Sequence, residues 1–326
     1  MDKYSKKEER PMISIICPTY NHEAYIRQAM DSILMQKTEF KYEILVGEDC
    51  SPDNSKDILA EYARKYPDLV KVYHRVTNMG ATKNGYDLYM HSRGKYIALL
   101  ELDDYWTDEY KIQKQVEFLE KHTDIIGCAH DSIMIDEKDQ VIKETLTHGE
   151  EKELTLDDFL RDGFTFQSAS LIYRNIFHDG NDYSILYKSH DIAGDIVVNS
   201  MLLLRGNIFL MKEKMSAYRR VIKVGGSSAA SISHANEALS LINSMKQLEM
   251  LTDYFHGKID YSLRMIYPME RYITGILKRE QGFNVKDYIY MRKVATPTVK
   301  KEVKHYIMEY PIRKVRKVIG CNNDEK

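Results

Sequence analysis

Between residues 12 and 106, four short apolar runs, each ending in a polar cluster, alternate with three amphipathic helical patterns. Residues 12–17 run into Pro18-Thr19-Tyr20-Asn21, as a buried strand entering a loop does. The spacing of Ile26, Met30, Ile33 and Leu34 then predicts a helix, with Asn21 as its N-cap. Residues 42–47 predict a second strand ending in Glu48-Asp49, and Ile58, Leu59, Tyr62, Ala63 and Tyr66 a second helix stopped by Pro67. A third strand over 69–73, a turn at 78–80 and a helix over 81–91 follow. Gly94 leads into the fourth run, Tyr-Ile-Ala-Leu-Leu-Glu-Leu-Asp-Asp-Tyr-Trp at 96–106. Repeated strand–helix units of this kind build an α/β fold with a mostly parallel sheet flanked by helices. Ligands of such sheets bind beyond the carboxyl ends of the strands. The polar clusters 18–21, 48–51, 78–84 and 101–104 all fall at those ends. One shared site accounts for them better than four unrelated loops.

The fourth run closes on Glu101, Asp103 and Asp104. Adjacent carboxylates repel, and stripping their hydration is costly without a cation or strong donors nearby. A polar turn that caps the next helix accounts for Asp108 but not for Asp103 and Asp104 together. The pair predicts a divalent metal site.

Beyond Trp106 the pattern mixes. Asp108 opens a helix reaching about Lys121, and 125–130 and 132–136 read as strands. Thr155 and Asp158 have capping-box spacing. Residues 168–173 read as a strand, 194–204 as a helix opening with Asp195, and 208–211 and 215–218 as two strands. Only helical patterns follow from about Ser233. The expected organisation is a disordered leader at 1–10, an α/β domain at 11–232 and a helical region at 233–326.

The net charge of -2 argues against general nucleic-acid binding. Cys17, Cys50, Cys128 and Cys321 lie far apart without a Cys-x-x-Cys pair, which argues against zinc and against a disulfide framework. The first ten residues hold no apolar signal core, and no stretch approaches membrane-spanning length, so the expected compartment is the cytoplasm.

Four ordered motifs carry a resemblance: Ile-Cys-Pro-Thr-Tyr-Asn-His-Glu at 16–23, Val-Gly-Glu-Asp-Cys-Ser-Pro-Asp-Asn-Ser at 46–55, Asn-Met-Gly at 78–80, and Arg-Gly-Lys-Tyr-Ile-Ala-Leu-Leu-Glu-Leu-Asp-Asp-Tyr-Trp at 93–106. Together they resemble the family 2 glycosyltransferases of the GT-A fold, the bacterial surface-polysaccharide type. The resemblance implies inverting transfer of a sugar from a nucleotide diphosphate sugar, UDP-linked before dTDP-linked, with Mn²⁺ or Mg²⁺ neutralising the leaving diphosphate. It implies Asp104 on the metal and Asp103 on the ribose or sugar. It further implies Tyr20 stacked on the base and Asp49 accepting from the pyrimidine imide, with Pro18, Thr19, Glu23, Gly80 and Lys83 among the nucleotide contacts. Tyr20 also reads as an ordinary packed aromatic, and Glu23 as a first-turn acid favoured by the helix dipole. Leu102 departs from the glycine common before the acid pair, which puts the shape of the turn and of the sugar pocket in question.

An inverting displacement needs a base for the acceptor hydroxyl. The resemblance implies an acid opening a helix of the second half, which Asp195 matches, with Asp191 beside His190 as the runner-up. Asp195 reads equally as a helix N-cap. Trp106 is a candidate wall for the acceptor or a core residue. Arg219, Arg220 and the Gly-Gly-Ser-Ser loop at 225–228 are candidates for closing over the diphosphate. The acceptor implied is a saccharide or a lipid-linked sugar. Arg313, Lys314, Arg316 and Lys317, interleaved with apolar residues, have the composition of a peripheral contact with the inner face of the membrane, and equally of a solvated helix end. A nucleotidyltransferase would want a Gly-rich basic loop after the first strand, where Pro18-Thr19-Tyr20-Asn21 stands. A catalytically inactive scaffold would have no use for Asp49, Asp103, Asp104 and Asp195 together.

Overall fold

A computed structural model describes residues 10–147, 150–163, 166–188, 194–220, 236–280 and 282–318, with side chains as far as 308. The chain divides into two compact units, Met1–Val221 and Ile222–Lys326.

The first unit opens with β1 (Ile13–Thr19), α1 (Ile26–Leu34), β2 (Tyr42–Glu48), α2 (Ser55–Lys65), β3 (Val70–His74), α3 (Ala81–His91) and β4 (Tyr96–Leu99). There follow β5 (Tyr105–Trp106), α4 (Lys111–Lys121), β6 (Ile125–Ile135), β7 (Val141–Lys143), β8 (Lys152–Leu154) and α5 (Leu156–Asp162). A single 3₁₀ turn (Ser168–Ser170), β9 (Ile172–Arg174), α6 (Ser184–Lys188), α7 (Gly194–Leu203) and β10 (Asn207–Arg219) complete it. The ten strands form one sheet in the order β3-β2-β1-β4-β9-β6-β10-β5, with β7 on β6 and β8 on β10. Pairing is parallel from β3 through β4. Beyond β4 it is mixed, because β9 lies antiparallel between β4 and β6 while β10 runs parallel to β6.

β1 is central, and Ile13, Ile15, Ile16 and Cys17 are fully buried from both faces. Ile26, Met30 and Ile33 of α1 pack on the same core as Ile44, Val46 and Ala98. Each such side chain contributes about 1.5–3 kcal/mol by leaving water. α3 lies unusually near β2 because Gly47 has no side chain. A Cβ there would stand 2.2 Å from Asn84 Oδ1, and Asn84 Nδ2 donates to the Gly47 carbonyl at 2.7 Å.

Four local expectations change. The two strands read over 125–130 and 132–136 form the single strand β6 (Ile125–Ile135). α1 begins at Ile26, since Asn21 sits in the left-handed region (φ 61) and its amide donates to Ser51 Oγ instead of starting a helix. Residues 208–218 form one strand, with register shifts between Met211 and Ser216 that let the exposed Lys212, Glu213 and Lys214 bulge outward. At Ser168 the chain turns before it extends, because the Ser170 amide and hydroxyl both donate to the Gln167 carbonyl. The Thr155–Asp158 capping box forms as its spacing predicts.

The second unit holds α8 (Glu237–Tyr254), α9 (Ser262–Leu277), α10 (Val285–Val294) and α11 (Pro297–Val318). The side chains of Asn236 and Asn284 cap α8 and α10. Met245, Leu248, Met269, Tyr272, Met291 and Val299 form its interior. Among the described residues no helix is long and apolar enough to cross a membrane. The loop at 225–228 lies outside the described residues.

Candidate active site

The loops leaving β1 and β2 are laced together at the carboxyl edge of the parallel strands. The Asp49 amide donates to the Thr19 carbonyl, the His22 amide to Ser55 Oγ and the Glu23 amide to Asp53 Oδ2. In return the Asn54 amide donates to Glu23 Oε2 at 2.6 Å. Asp49 is 2% exposed, and its two oxygens accept the amides of Met79 and Gly80 at 2.8 and 2.9 Å. Burial raises its pKa against the pull of those bonds. Gly80 takes φ 84, a conformation that a side chain would strain, and it opens α3.

The run from β4 turns sharply where the Asp104 amide meets the Glu101 carbonyl. β5 then pairs with β10, so the turn hangs between β4 and β10. One carboxylate oxygen each of Glu101, Asp103 and Asp104 lies within 4.8 Å of the others. Asp104 is the buried member. Its Oδ1 accepts the Arg219 amide at 2.7 Å and its Oδ2 accepts Gln167 Nε2 at 2.6 Å. Asp103 Oδ1 is buried and accepts nothing among the described residues, while Asp103 Oδ2 lies 3.7 Å from His22 Nε2. Thr19 Oγ1 holds the other ring nitrogen of His22 at 3.2 Å, so one histidine joins the first loop to the acid turn.

These acids raise one another. Burial, then Asp103, push Asp104 well above the ordinary carboxylate range. Glu101 reaches solvent at the mouth, yet lost hydration followed by the charges of Asp103 and Asp195 pushes it up to about 8. Tyr218, beside them, is pushed up to about 12 by burial and then by Asp104 and Glu101. An orphaned buried acceptor among mutually repelling carboxylates suits a cation of high charge density, and oxygen donors of this kind suit Mg²⁺ or Mn²⁺.

Residues 14–180 match the model of "Glycosyl transferase family 2". The chain belongs to glycosyl transferase family 2. Among this family member's relatives, it is 35% identical over 217 residues to the uncharacterized protein Rv1520 of Mycobacterium tuberculosis, covering 64% of this chain and 58% of that one. It is 31% identical over 152 residues to TuaG of Bacillus subtilis, by its name a candidate glycosyltransferase of teichuronic acid biosynthesis, covering 47% of this chain and 58% of TuaG. The chain thus spans 58% of the length of these curated relatives. The fold is shared with S. aureus TarS 1–349, solved in complex with UDP-GlcNAc, at a TM-score of 0.63 and 17% identity over 88% of this chain and 82% of that one.

Within this family 2 chain, most residues expected at the site stand along one edge. Pro18 and Thr19 end β1 with Tyr20 just beyond it, Asp49 follows β2, and Gly80 and Lys83 open α3, with the Lys83 ammonium 4.9 Å from the Tyr187 ring. Asp195 lies in the first turn of α7, and its Oδ1 accepts the Ile196 amide at 2.9 Å. Gly194 brings that turn against α3, where an added Cβ would touch Thr82 at 3.5 Å. Asp191 and His190 lie outside the described residues.

Of the two acceptor-side candidates, Trp106 takes the core alternative and Arg219 is committed to partners within the protein. Trp106 is 1% exposed, with its indole N–H on the Ala169 carbonyl at 3.1 Å, so it packs the core and walls nothing. Arg219 is equally sealed. Its guanidinium donates to the Asp103 and Asp136 carbonyls, to Gln28 Oε1 and to Asp139, and stacks 4.3 Å from the Tyr25 ring. It braces the acid turn from behind and has no reach to a diphosphate. Leu102 is fully buried in the core and has no positive φ, so it leaves the turn's conformation unstrained and points away from any pocket. Glu101 stands in the cluster with the acid pair.

Sequence reasoning missed His22 and Gln167. His22 sits inside the first motif and was legible as a polar residue at the strand end. Gln167 carries no local signal, since its bond to Asp104 spans 63 positions.

Proposed function

We propose that this protein transfers a sugar from a nucleotide diphosphate sugar, UDP-linked, to a saccharide or lipid-linked acceptor in the synthesis of a surface polysaccharide or glycolipid, with inversion at the anomeric carbon. The observation that carries the reading is the group of three carboxylates at the carboxyl edge of the parallel strands, in a chain of glycosyl transferase family 2. UDP-GlcNAc in TarS and the polysaccharide named for TuaG support the donor and product class.

Glu101, Asp103 and Asp104 would hold a divalent cation. Bound there, the cation would neutralise charge on the departing diphosphate. The Arg219 amide and Gln167 hold Asp104 in place against the repulsion of its neighbours. Tyr20 offers its ring to the base, and Asp49 fixes the 78–80 turn that borders it. Asp195 takes the acceptor hydroxyl's proton as the oxygen bonds to the anomeric carbon and the bond to the diphosphate breaks with its electron pair. His22, positioned by Thr19, stands where a phosphate oxygen or the cation would approach Asp103.

Calorimetry of UDP with and without Mn²⁺ tests the reading. Binding should strengthen at least tenfold with the metal, and an absence of any metal-dependent binding removes the proposal.

A further inference from the structure

The helical unit turns a surface to solvent that its own packing does not explain. In α10, Met291 is the one fully buried residue among those described, while Val285 and Ile289 are 58% and 63% exposed. At 100° per residue these two aliphatics lie side by side on one face. Arg292 falls on one flank, and Lys293 and Lys286 on the other, all exposed. The helix's acid, Asp287, is turned away, where it accepts from Tyr272 and Asn284. The following helix adds a smaller patch: Val299 and Val303 of α11 are buried, and the opposite face carries Met308, 69% exposed, between Lys301 and Lys304.

We infer that α10 and the first turns of α11 lie on an anionic lipid surface, their aliphatics among the acyl-chain ends and their cations at the headgroups. Charge decides between occupants. Six exposed cations, Lys286, Arg292, Lys293, Lys300, Lys301 and Lys304, stand against one exposed acid, Glu302, among the described side chains of these two helices. A second copy meeting this face about a twofold axis would set cations against cations. A nucleic acid would leave the aliphatic centres unmatched. An anionic bilayer satisfies both parts. The basic stretch at 313–317 continues the same helix, with side chains outside the described residues. The inference is independent of which sugar the first unit transfers.

The test is co-sedimentation of the full chain with vesicles of phosphatidylcholine alone and of phosphatidylcholine mixed with phosphatidylglycerol. Binding should need phosphatidylglycerol and fall steeply as salt rises. Each cation near such a surface is worth roughly a fivefold gain in partitioning. Lys293→Glu and Lys304→Glu together should therefore weaken binding about 25-fold or more. Ile289→Asp and Met308→Asp should abolish it while circular dichroism and the thermal midpoint stay at wild type, since both side chains are exposed. Equal binding to both vesicles, no binding to either, or variants that bind like wild type would each overturn the inference. So would a dimer in light scattering that the aspartates dissolve, which would give the face to a second copy.

Discussion

On either side of Trp106 the chain buries charge in opposite ways. In the acid turn, like charges gather, one buried oxygen of Asp103 has no donor among the described residues, and the cluster opens to solvent through Glu101. Beyond Trp106, Lys111 is fully buried, and its ammonium donates to Gln115 Oε1 at 2.8 Å and lies 4.3 Å from the Trp106 ring. Gln115 is itself pinned by the carbonyls of Cys128 and Ser170. Burial drives the pKa of Lys111 down to about 7. The lysine is answered from within by an amide and an aromatic face. The acids are answered only in part, by one backbone amide and Gln167. A buried charge whose partners are all in place belongs to the structure, whereas repelling charges that face water ask for a ligand.

The contrast is broken most directly at Asp103. Asp103→Asn removes a carboxylate charge from the open side and relieves repulsion within the cluster. Sugar transfer should fall by about 10²–10³ in kcat/KM, in line with losing an electrostatic stabiliser of the transition state. The thermal midpoint should hold or rise. A midpoint that drops by several degrees while transfer survives would make the turn structural and erase the distinction.

How much of this was legible follows from the range of each interaction. The four polar clusters show in the sequence because each sits directly after its own β-branched run, a local pattern. Within those clusters, Asp49 and Gly80 are singled out by the motifs of the family resemblance rather than by the local pattern. The sequence leaves Trp106 between two roles and Arg219 looking like a ligand contact because their partners are far away in sequence. The Trp106 indole bonds to a carbonyl 63 positions on, and the Arg219 side chain reaches back 191 positions to Gln28. An arginine at the end of an apolar strand looks like a ligand contact until its acceptors are known. The exposed 212–214 bulge imitates a turn, which is why β10 reads as two strands.

Arg219 joins the two regimes, being a buried cation that is answered from within and whose partners include the acid turn. Lys in its place keeps the charge but not the fork, and cannot serve the Asp103 and Asp136 carbonyls, Gln28 and Asp139 at once. Arg219→Lys should cost about 2–3 kcal/mol of stability in urea unfolding. Transfer should fall about 10- to 100-fold, the usual penalty for losing a group that orients a ligand. If metal affinity, read by titration calorimetry, stays at wild type while stability falls, Arg219 holds the fold and not the turn.

The smallest effect lies on the sealed side, and it has the opposite sign. With its folded pKa near 7 against about 10.4 unfolded, Lys111 leaves the folded chain holding fewer protons than the unfolded chain between those values. Its contribution to stability therefore rises with pH across that window, and at pH 7 and below the full cost of burying an ammonium weighs on the folded state. Lys111→Met removes that cost and keeps the volume, so the variant should be more stable by about 2 kcal/mol at pH 6–7. The advantage should shrink toward nothing as the pH passes about 10.4, above which the wild-type amine is largely neutral in both states. Urea unfolding of both proteins at the two pH values gives the difference directly, free of other titrations they share. A variant less stable than wild type at pH 7 would mean that the Trp106 ring and Gln115 more than offset the lost hydration, and Lys111 would then be a net support of the segment that carries the acids.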